Sequence, residues 1–514
     1  DNDRSRGLGD VYKRQIMKYA LTGRMSKEVD RFTIDKMGVP SLVLMERAAV
    51  STAMKVAEIV ALFRRNVRIL AVCGKGNNGA DAVAAARILS WQGVAVDIAV
   101  IDDDRKETEE FATQMTIAGN SGLNFVNVSA IPEYDIIIDG IFGTGLSRNV
   151  EGIYADVIDL INCSNNVVVS VDIPSGIDSE TGAVLSKAVK ADATVTFGYN
   201  KVGNMIYPGK ELSGEVTVAD IGFCPEAIKT LNPCMYFTED DLRKIPDRKA
   251  YSNKGTYGKI LVIAGSRDMS GAAYLSGASA YRTGAGLVEI LTYESNTDII
   301  KKLLPEAIVT GYNEDNYCCM LEKSLKKATC VILGPGLSKD ITAHNITEEV
   351  LKRCEVPLII DADALNIIAE DISLLKSYSH VAIITPHIGE FMRLTGLTKE
   401  ELLKDSVAAA KSFAQEFNVI LVMKNAVTVV AEPCENGRAY INSSGTGAMS
   451  KAGMGDVLTG VIAGMLSLRI EPFSAACMGV YLHGIAGEIA EEEQGSHSVM
   501  AGDVVNILGK AVNK

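Results

Sequence analysis

The chain alternates short apolar runs with segments in which apolar residues recur every three or four positions. The runs predict buried strands, and the recurring positions predict helices. Two helices are predicted between Asp30 and Val60, with Ser41 capping the second. Strands of the first half are predicted at residues 67–72, 94–101, 134–138, 167–171, 193–197 and 216–218. Strands that alternate with helices are typical of a parallel sheet with helices on both faces.

A second series of the same kind begins after Asn232, Pro233 and Cys234. It contains a predicted helix of small residues at 271–283. Its strands are predicted at residues 259–264, 330–333, 357–360, 381–384 and 419–423. We therefore predict an α/β protein with two three-layer αβα domains. The predicted ranges are 17–224 for the first domain, 225–236 for a linker and 237–514 for the second domain.

Composition narrows the function classes. A formal net charge of −13 over 514 residues argues against nucleic acid or an anionic membrane as the main partner. No apolar run reaches the length of a membrane-spanning helix. The ten cysteines are scattered without a C-x-x-C pair, which predicts free thiols in a reducing cytoplasm.

Residues 1–16 match none of the later patterns. Residues 10–15 resemble a translated adaptor sequence, so we predict a non-native leader, with a short disordered basic arm as the alternative.

The segment 445–456 is a candidate for phosphate binding, because four glycines lead into an apolar helical pattern. A helix N-terminus has free N–H groups and a partial positive charge, and glycines let backbone amides approach an anion. Asp456 beside a phosphate is a candidate base for phosphoryl transfer. The loop lacks the Gly-Lys-Ser/Thr of a Walker A motif. The alternative is an ordinary glycine-rich turn with Asp456 as the N-cap.

Residues 74–79 match G-x-G-x-x-G, which is a weak signal by itself. A dinucleotide fold needs an acidic residue at the end of its second strand, but Asp97 lies inside that predicted strand. A classical dehydrogenase is therefore the less favoured interpretation.

Polar side chains follow three predicted strands of the first half. Two asparagines and an aspartate within 77–81 follow one strand, Asp139 ends another, and Asp172 ends a third shortly before Ser175. Because ligands bind outside the carboxyl ends of parallel strands, we expect one shared crevice. Its oxygens offer either a hard-cation site or an acid/base pair. The alternative is that these residues only cap helices and turns.

These residues carry a resemblance to a known family. Met25 with Asp30, and the segments 40–48, 76–79, 139–146 and 171–176, together resemble the nicotinamide nucleotide hydrate epimerase domain over about residues 19–224. The resemblance implies a Rossmann-like sheet, with Asp172 as a catalytic residue. It implies potassium at Asn78, Asp139 and Ser175. The substrate-binding residues that it implies are Asn77, Asn78, Gly79, Ala80, Asp81, Gly143, Thr144, Gly145, Leu146, Ser147, Arg148, Asn149 and Asp172.

Two positions depart from the family pattern. Ala80 and Ala82 stand where the family usually has glycine. An alanine at a position that needs a positive φ would weaken binding.

Strand ends of the second half also carry polar or glycine-rich segments, namely residues 334–337, 361–363, 385–387 and 424–425. His387 is predicted to contact substrate. Asp361 and Asp363 are candidates for second-shell or metal-water ligands, or for turn capping. Lys424 either contacts nucleotide phosphates or only flanks the loop.

The segments 257–265, 271–273, 361–366, 385–394 and 452–458 are similar to the nucleotide-dependent nicotinamide nucleotide hydrate dehydratase domain, a branch of the ribokinase-like kinases. The similarity covers about residues 237–508. It implies substrate contacts from Ala272, Gly336, His387, Ile388, Gly389, Glu390, Phe391, Met392, Arg393 and the catalytic Asp456. It implies adenine-nucleotide contacts from Lys424, Asn425, Ala426, Val427, Thr428, Thr446, Gly447, Ala448, Met449, Ser450, Lys451, Ala452, Gly453, Met454 and Gly455. Asn425 replaces the usual glycine and Met454 a common serine, which leaves the nucleotide preference open.

Together the two resemblances imply repair of hydrated NADH and NADPH. The first domain would interconvert the R and S hydrates, and the second would dehydrate the S hydrate with ADP or ATP and Mg²⁺, giving AMP and phosphate from ADP. Hydroxide is a poor leaving group, so the ring hydroxyl is phosphorylated while Asp456 takes its proton and the amides of residues 452–455 stabilise the phosphoryl charge. The expected partners are the hydrated dinucleotides and the adenine nucleotide, with neither nucleic acid nor membrane, and a homo-oligomer is expected.

Two alternatives stay open. The second half could be a small-alcohol or vitamin kinase with a stable phosphorylated product. The first half could be a non-catalytic binding module, since relatives of this fold can serve as scaffolds.

Overall fold

The structure, a computed structural model, describes residues 18–513, so the predicted leader lies outside the described residues. The chain forms two compact units, one of Tyr19–Cys234 and the other containing Met235 and the residues after it. None of the helices between residues 18 and 513 is long and apolar enough to span a membrane. All ten cysteines are free thiols, as predicted.

The first unit has nine strands and seven α-helices. The strands are β1 (Lys18–Leu21), β2 (Arg68–Cys73), β3 (Ala95–Val100), β4 (Asn124–Phe125), β5 (Ile136–Gly140), β6 (Val167–Val171), β7 (Ala193–Phe197), β8 (Asn200–Lys201) and β9 (Glu215–Ala219). The helices are α1 (Gly23–Arg31), α2 (Ser41–Val60), α3 (Asn77–Trp91), α4 (Glu109–Asn120), α5 (Ile153–Cys163), α6 (Val202–Met205) and α7 (Gly209–Leu212).

The main sheet of this unit has the order β4-β3-β2-β5-β6-β7-β9, and all of its neighbouring strands are parallel. Ile69 and Ala71 of β2 pack in an apolar core that includes α2 and α3, whereas Leu70 and Val72 pack in a separate core that includes α5. Alternate residues of one strand thus face helices on opposite sides of the sheet, which confirms the predicted layered α/β fold.

The start of this unit differs from the prediction at two points. The first helix begins at Gly23 rather than near Asp30, because Thr22 accepts a hydrogen bond from the amide of Met25 (3.3 Å) as N-cap. The prediction that Ser41 is a cap was wrong. Ser41 is the first residue inside α2, and its hydroxyl donates to Glu110 Oε1 (2.9 Å).

The second unit has ten strands and thirteen α-helices among the residues that the structure describes. The strands are β10 (Cys234–Tyr236), β11 (Lys259–Ile263), β12 (Leu287–Tyr293), β13 (Ile308–Tyr312), β14 (Cys330–Leu333), β15 (Leu358–Ile360), β16 (Ala382–Ile384), β17 (Ile420–Met423), β18 (Val429–Ala431) and β19 (Ala439–Ile441). The helices are α8 (Glu239–Leu242), α9 (Ser270–Arg282), α10 (Thr297–Leu303), α11 (Tyr317–Leu325), α12 (Ile341–Arg353), α13 (Asp363–Ile368), α14 (Ser373–Ser377), α15 (Ile388–Thr395), α16 (Lys399–Lys404), α17 (Ser406–Phe417), α18 (Met454–Ser467), α19 (Pro472–Gln494) and α20 (Ala501–Val512).

The sheet of the second unit has the order β13-β12-β11-β14-β15-β16-β17-β18-β19-β10. Strands β11 to β17 are parallel to their neighbours in this series, and β18 is antiparallel to β17 and β19. Strands β14 to β17 end at the edge that carries the predicted site, and α18 begins near that edge.

Helix α18 packs closely against α9. A Cβ on Gly460 would overlap the hydroxyl of Ser279, and a Cβ on Gly464 would overlap the hydroxyl of Thr283. The hydroxyl of Ser276 on α9 also donates to the carbonyl of Asp456 (3.0 Å). The position of the α18 N-terminus is therefore fixed by its contact with α9.

Candidate functional site

In the first unit, the carboxyl ends of β2, β5 and β6 open onto a cavity of about 540 Å³. The predicted residues that line this cavity are Asn77, Asn78, Asp81, Gly143, Thr144, Gly145, Leu146, Ser147, Arg148 and Asp172. Gly79 and Ala80 are buried inside α3, and Asn149 is exposed outside the lining. The predicted shared crevice therefore exists, but three of the predicted residues do not face it.

A second cavity of about 220 Å³ adjoins the first, because Lys27, Asp30, Asn77, Asp81, Thr144 and Asp172 line both. Its remaining wall is mainly apolar and includes Ile34, Leu44, Phe197 and Phe223. We call the two together the cleft of the first unit. The cleft thus has an apolar part and a polar part, with carboxyl groups where they meet.

Asp172 is held in a strained conformation at the end of β6. Its φ is 65°, a value that non-glycine residues seldom adopt. One carboxylate oxygen, Oδ1, accepts from Lys201 Nζ (2.8 Å), the amide of Phe197 (3.0 Å) and the hydroxyl of Thr196 (3.1 Å). With Oδ1 fixed by three donors, Oδ2 is left for a ligand in the cleft.

Asp139 lies in a buried group of oxygen atoms below the loop that starts at Phe142. It accepts from the Ser175 hydroxyl (2.5 Å) and amide (2.9 Å) and from the Ser170 hydroxyl (2.8 Å). Burial raises the pKa of Asp139 above its ordinary value, although these donors lower it. The side chain of Asn78 reaches the same place, since its amide donates to the carbonyl of Phe142 (3.0 Å).

The alanines that replace family glycines are accommodated. Ala80 and Ala82 lie inside α3, and neither is among the non-glycine residues with a positive φ. Gly140 of β5 faces Ala82 so closely that a Cβ on Gly140 would collide with that of Ala82. The concern that these positions need a positive φ is therefore removed.

Several basic residues of the cleft were missed by the sequence analysis. Lys27, Lys75, Arg105 and Lys106 line the larger cavity, together with Arg148. Lys75 and Arg105 contact Asp103, and the Arg105 guanidinium also lies 4.2 Å from the ring centroid of Tyr154. Only Lys75 adjoins a predicted motif, so no local pattern marked the others.

Lys201 was also missed. Its side chain is buried, and its ammonium lies within hydrogen-bond distance of Thr196 Oγ1 (2.9 Å), the Tyr199 carbonyl (2.9 Å) and the Phe197 carbonyl (3.1 Å), besides Asp172. The only signal in the sequence is a lysine close after a strand.

In the second unit, the predicted site residues meet beneath the start of α18. Lys424 Nζ donates to Asp361 Oδ1 (2.6 Å), and both side chains lie next to Gly455. Met454 is the first residue of α18, Gly453 precedes it with a φ of 90°, and Asp456 lies in the first turn. Asp456 is therefore inside the helix, so the alternative that it is the N-cap is wrong.

The surroundings of Asp456 favour a base. Burial, followed by the charge of Asp361, raises the pKa of Asp456 to about 7, while Lys424 opposes the shift. Lys424 is engaged with Asp361, and the structure shows no side-chain hydrogen bond to the Asp456 carboxyl among residues 18–513. A carboxyl group with a pKa near neutrality is suited to general-base catalysis.

His387 caps α15. Its Nδ1 accepts from the amide of Gly389 (2.9 Å), and Glu390 accepts from the amide of His387 (2.8 Å). Because Nδ1 is an acceptor, the neutral ring carries its proton on Nε2. Burial raises the pKa of Glu390 to about 7, and burial together with Lys424 and Arg393 lowers the pKa of His387.

The other predicted residues of the second unit lie at the substrate side of the site or in the nucleotide loop. Gly336 faces Ala272 across the site, whereas Asp363 accepts from the amide of Ser338 (2.9 Å) and so has a turn-capping role. In the nucleotide loop, the Gly445 amide donates to Glu488 (2.7 Å) and the Thr446 hydroxyl donates to Glu491. Asn425 is not among the residues with a positive φ, so replacement of the usual glycine is not strained there.

Comparisons with known proteins agree with the division into two units. Residues 41–203 match the family described as the YjeF-related protein N-terminus, and residues 260–510 match the family described as NAD(P)H-hydrate dehydratase. The bifunctional NAD(P)H-hydrate repair enzyme of Moorella thermoacetica is 35% identical over 512 residues, covering 95% of this chain and 96% of the relative. The corresponding enzyme of Thermofilum pendens is 37% identical over 517 residues, covering 96% of both chains.

A solved structure also resembles part of the chain. The ADP/ATP-dependent NAD(P)H-hydrate dehydratase of Bacillus subtilis, co-crystallised with ATP and Mg²⁺, is 34% identical and covers 54% of this chain and 96% of its own, with a TM-score of 0.47.

Proposed function

The chain belongs to the family of bifunctional NAD(P)H-hydrate repair enzymes, and on that premise we propose how its two units share the reaction. The unit of Tyr19–Cys234 interconverts the R and S hydrates of NADH and NADPH. The unit that follows dehydrates the S hydrate with ADP, giving AMP and phosphate. The observation that carries this proposal is that in each unit an aspartate, Asp172 or Asp456, lies beside glycine-rich loops and a helix N-terminus at the carboxyl edge of the parallel strands.

In the first unit, we place the hydrated nicotinamide ring in the apolar part of the cleft, where Asp172 reaches it. The phosphate groups lie along the polar part, near the start of α3 and the basic residues Lys75, Arg105 and Lys106. Free N–H groups of a helix N-terminus and cationic side chains both favour phosphate.

Potassium fits the oxygen group around Asp139. This carboxylate is fully buried, and none of the described residues forms an ion pair with it. A side chain at residue 143 would fill the space beside Asn78 Oδ1, because its Cβ would lie 2.9 Å from that oxygen. Since residue 143 is glycine, this space stays open. Asn78, Asp139 and Ser175 would hold the ion, which would compensate the buried charge and fix the loop at Phe142.

In the second unit, Asp456 takes the proton of the ring hydroxyl during phosphoryl transfer. The amides of residues 452–455 and Lys424 stabilise negative charge on the phosphoryl group. Mg²⁺ bound together with the nucleotide would supply further charge neutralisation. Electron release from the ring nitrogen then expels the phosphate, and loss of a proton from the neighbouring ring carbon restores the dihydronicotinamide.

The test is a near-UV absorbance assay of the full chain with an R and S mixture of hydrated NADH or NADPH and ADP. We expect complete, ADP-dependent recovery of reduced cofactor, faster than spontaneous epimerisation allows. Consumption of only the S hydrate would exclude epimerisation by the first unit. A stable phosphorylated product in place of free phosphate would favour the kinase alternative.

We also propose that the protein works in the cytoplasm as a homo-oligomer, with the hydrated dinucleotides and the adenine nucleotide as its partners rather than nucleic acid or membrane. The net charge of −13 supports the exclusion of polyanionic partners. Light scattering of the full chain tests the oligomeric state.

A further inference from the structure

Three carboxyl groups meet in the cleft of the first unit. Asp30 of α1, Asp81 of α3 and Asp172 after β6 line both of its cavities. The chain elements that carry them lie far apart in the sequence, so the fold brings these groups to one place. Like charges that share a site disfavour one another's ionisation.

Asp172 is the member that contacts a cation. Its Oδ1 contacts the ammonium of Lys201, and the other three neighbours of that ammonium are oxygen acceptors. A neutral amine would have only two hydrogens for these four acceptors and would place its lone pair against one of them. The geometry therefore suits an ammonium whose charge compensates a carboxylate at Asp172.

Asp81, unlike Asp172, has no cation in contact with its carboxyl group among residues 18–513. The structure gives its carboxyl no ion pair and no hydrogen-bond donor from residues 18–513. Burial and the charges of Asp172 and Asp30 raise the pKa of Asp81 well above its ordinary value. Asp30 follows the same trend, since burial and the charge of Asp172 raise its pKa too. The other charged groups that line the cleft are Lys27, Glu110 and Lys201 in the smaller cavity and Lys75, Arg105, Lys106 and Arg148 in the larger one.

We propose that Asp81 and Asp172 are the acid and the base of the epimerisation, and that the reaction exchanges the ring hydroxyl for water. This inference rests on the proposed epimerase function of the first unit. A carboxylate paired with a cation and a carboxyl group without one, on the same cavity, provide both proton transfers that such an exchange needs.

The exchange balances as follows. Asp81 gives its proton to the hydroxyl oxygen of the hydrate, and the carbon–oxygen bond breaks with its electron pair, so that water leaves. The lone pair of the ring nitrogen forms a carbon–nitrogen double bond. Water then adds to the same carbon from the other face, the electron pair returns to nitrogen, and the added water gives its proton to Asp172. The product is the other epimer, and a proton moves from Asp172 to Asp81 through solvent before the next turnover.

The competing route opens the ring. There the carbon–nitrogen bond breaks, the oxygen stays on its carbon as an aldehyde, and closure on the other face inverts the centre without loss of that oxygen. The two routes therefore differ in the fate of one oxygen atom.

The deciding experiment uses the full wild-type chain without ADP, so that dehydration does not remove the product. One epimer is incubated in ¹⁸O-water, and at early times the two epimers are separated and their masses are measured by mass spectrometry. The amount of product formed by spontaneous epimerisation is subtracted. We expect one ¹⁸O atom in each inverted molecule. Inverted product that keeps its original oxygen overturns the water-exchange mechanism while leaving the epimerase function intact. Absence of enzyme-dependent inversion overturns the epimerase function itself.

Substitution of the acid supplies a second test. Asp81→Asn should lower kcat for epimerisation by about 10² to 10⁴ with little change in KM, and should remove the loss of activity at high pH that deprotonation of the acid causes. Asp159→Asn, an exposed position on α5 whose carboxylate pairs with Lys187, is the matched control. A rise in KM with unchanged kcat would assign Asp81 to binding and overturn its catalytic role.

Discussion

Asp172 in the first unit and Asp456 in the second stand at the carboxyl edges of two parallel sheets, and they differ in how each carboxylate meets a lysine. Lys201 contacts Asp172 directly at 2.8 Å. Lys424 instead contacts Asp361, at 2.6 Å, so that Asp456 faces the site without a hydrogen-bonded cation. The comparison teaches that the two aspartates have different surroundings: Asp172 itself contacts a lysine, whereas burial and the charge of Asp361 raise the pKa of Asp456 and Lys424 opposes that shift.

The largest effect should come from Asp456→Asn. Loss of the base should lower ADP-dependent dehydration of the S hydrate by about 10⁴-fold, at the upper end of what general-base catalysis contributes. Epimerisation measured on the same preparation is the control and should not change. Full recovery of reduced cofactor by the variant would contradict the role of Asp456.

The converse substitution is Asp172→Ala. It should lower enzyme-dependent conversion of the R hydrate by about 10³-fold, because the base in the first unit is lost. Dehydration of pure S hydrate should stay at the wild-type rate, which controls for folding of the second unit. An epimer mixture that is still consumed completely, after correction for spontaneous epimerisation, would count against this assignment.

Two glycine-to-alanine substitutions compare how tightly the chain is packed beside the two sites. They are Gly79→Ala in the first unit and Gly447→Ala in the second. A Cβ on Gly79 would overlap the carbonyl oxygen of Gly74, whereas a Cβ on Gly447 would have no atom within 4 Å. Gly79→Ala should lower the free energy of unfolding by about 1–3 kcal/mol, the usual cost of overpacking, and Gly447→Ala should leave it nearly unchanged. Chemical denaturation checks both variants. Equal losses would show that the surroundings of the two glycines are packed alike.

The activities of the two units should also differ in their dependence on K⁺. Exchange of K⁺ for a larger organic cation should lower epimerisation by about tenfold or more, the range seen when groups that support a metal site are lost, and should spare dehydration. Ser175→Ala should weaken the dependence on K⁺, with Ser170→Ala as a matched neighbour that also donates to Asp139. Equal sensitivity of both activities to K⁺ would place the ion elsewhere.

The smallest effect concerns pH. The base must be a carboxylate, so with a pKa of about 7 for Asp456 dehydration should fall as the pH drops below 7, by about tenfold at pH 6. Asp361→Asn should move this loss to lower pH, since the charge of Asp361 raises the pKa of Asp456. The assay is kcat at saturating ADP. An unchanged profile in the Asp361→Asn variant would assign the pH dependence to another group.

The central strands of each sheet were predictable from the sequence, but several strands nearer the edges were not. The predicted strand 167–171 coincides with β6 because its residues are apolar or small, and four of the five are buried, as in a strand covered on both faces. β12 was missed because Glu289 interrupts its apolar run. The fold accommodates this carboxylate with hydrogen bonds from Ser324 (2.6 Å) and Thr310 (3.0 Å) and an ion pair with Lys259. The predicted domain ranges and site roles stay predictions.

The site was predictable where local motifs mark it. Asn78, Asp139 and Asp172 belong to short segments that match a family, so their residue types alone pointed to the site. Lys201 is 29 residues from Asp172, and its role depends on a contact that only the folded chain makes. Hydrophobic periodicity and local motifs cannot predict a contact between two residues that are this far apart in the sequence.

The glycines between α9 and α18 have a consequence for how the sequence can change. Gly460 and Gly464 lie one and two turns beyond Asp456, and each faces a hydroxyl-bearing residue of α9 too closely to accept a Cβ. A library of variants selected for dehydratase activity should therefore exclude larger residues at 456, 460 and 464 alike, although of these only Asp456 is proposed to meet the substrate. For an evolving chain, the catalytic signature is thus a repeat of every fourth residue along α18, which extends into parts of the helix that never contact a ligand.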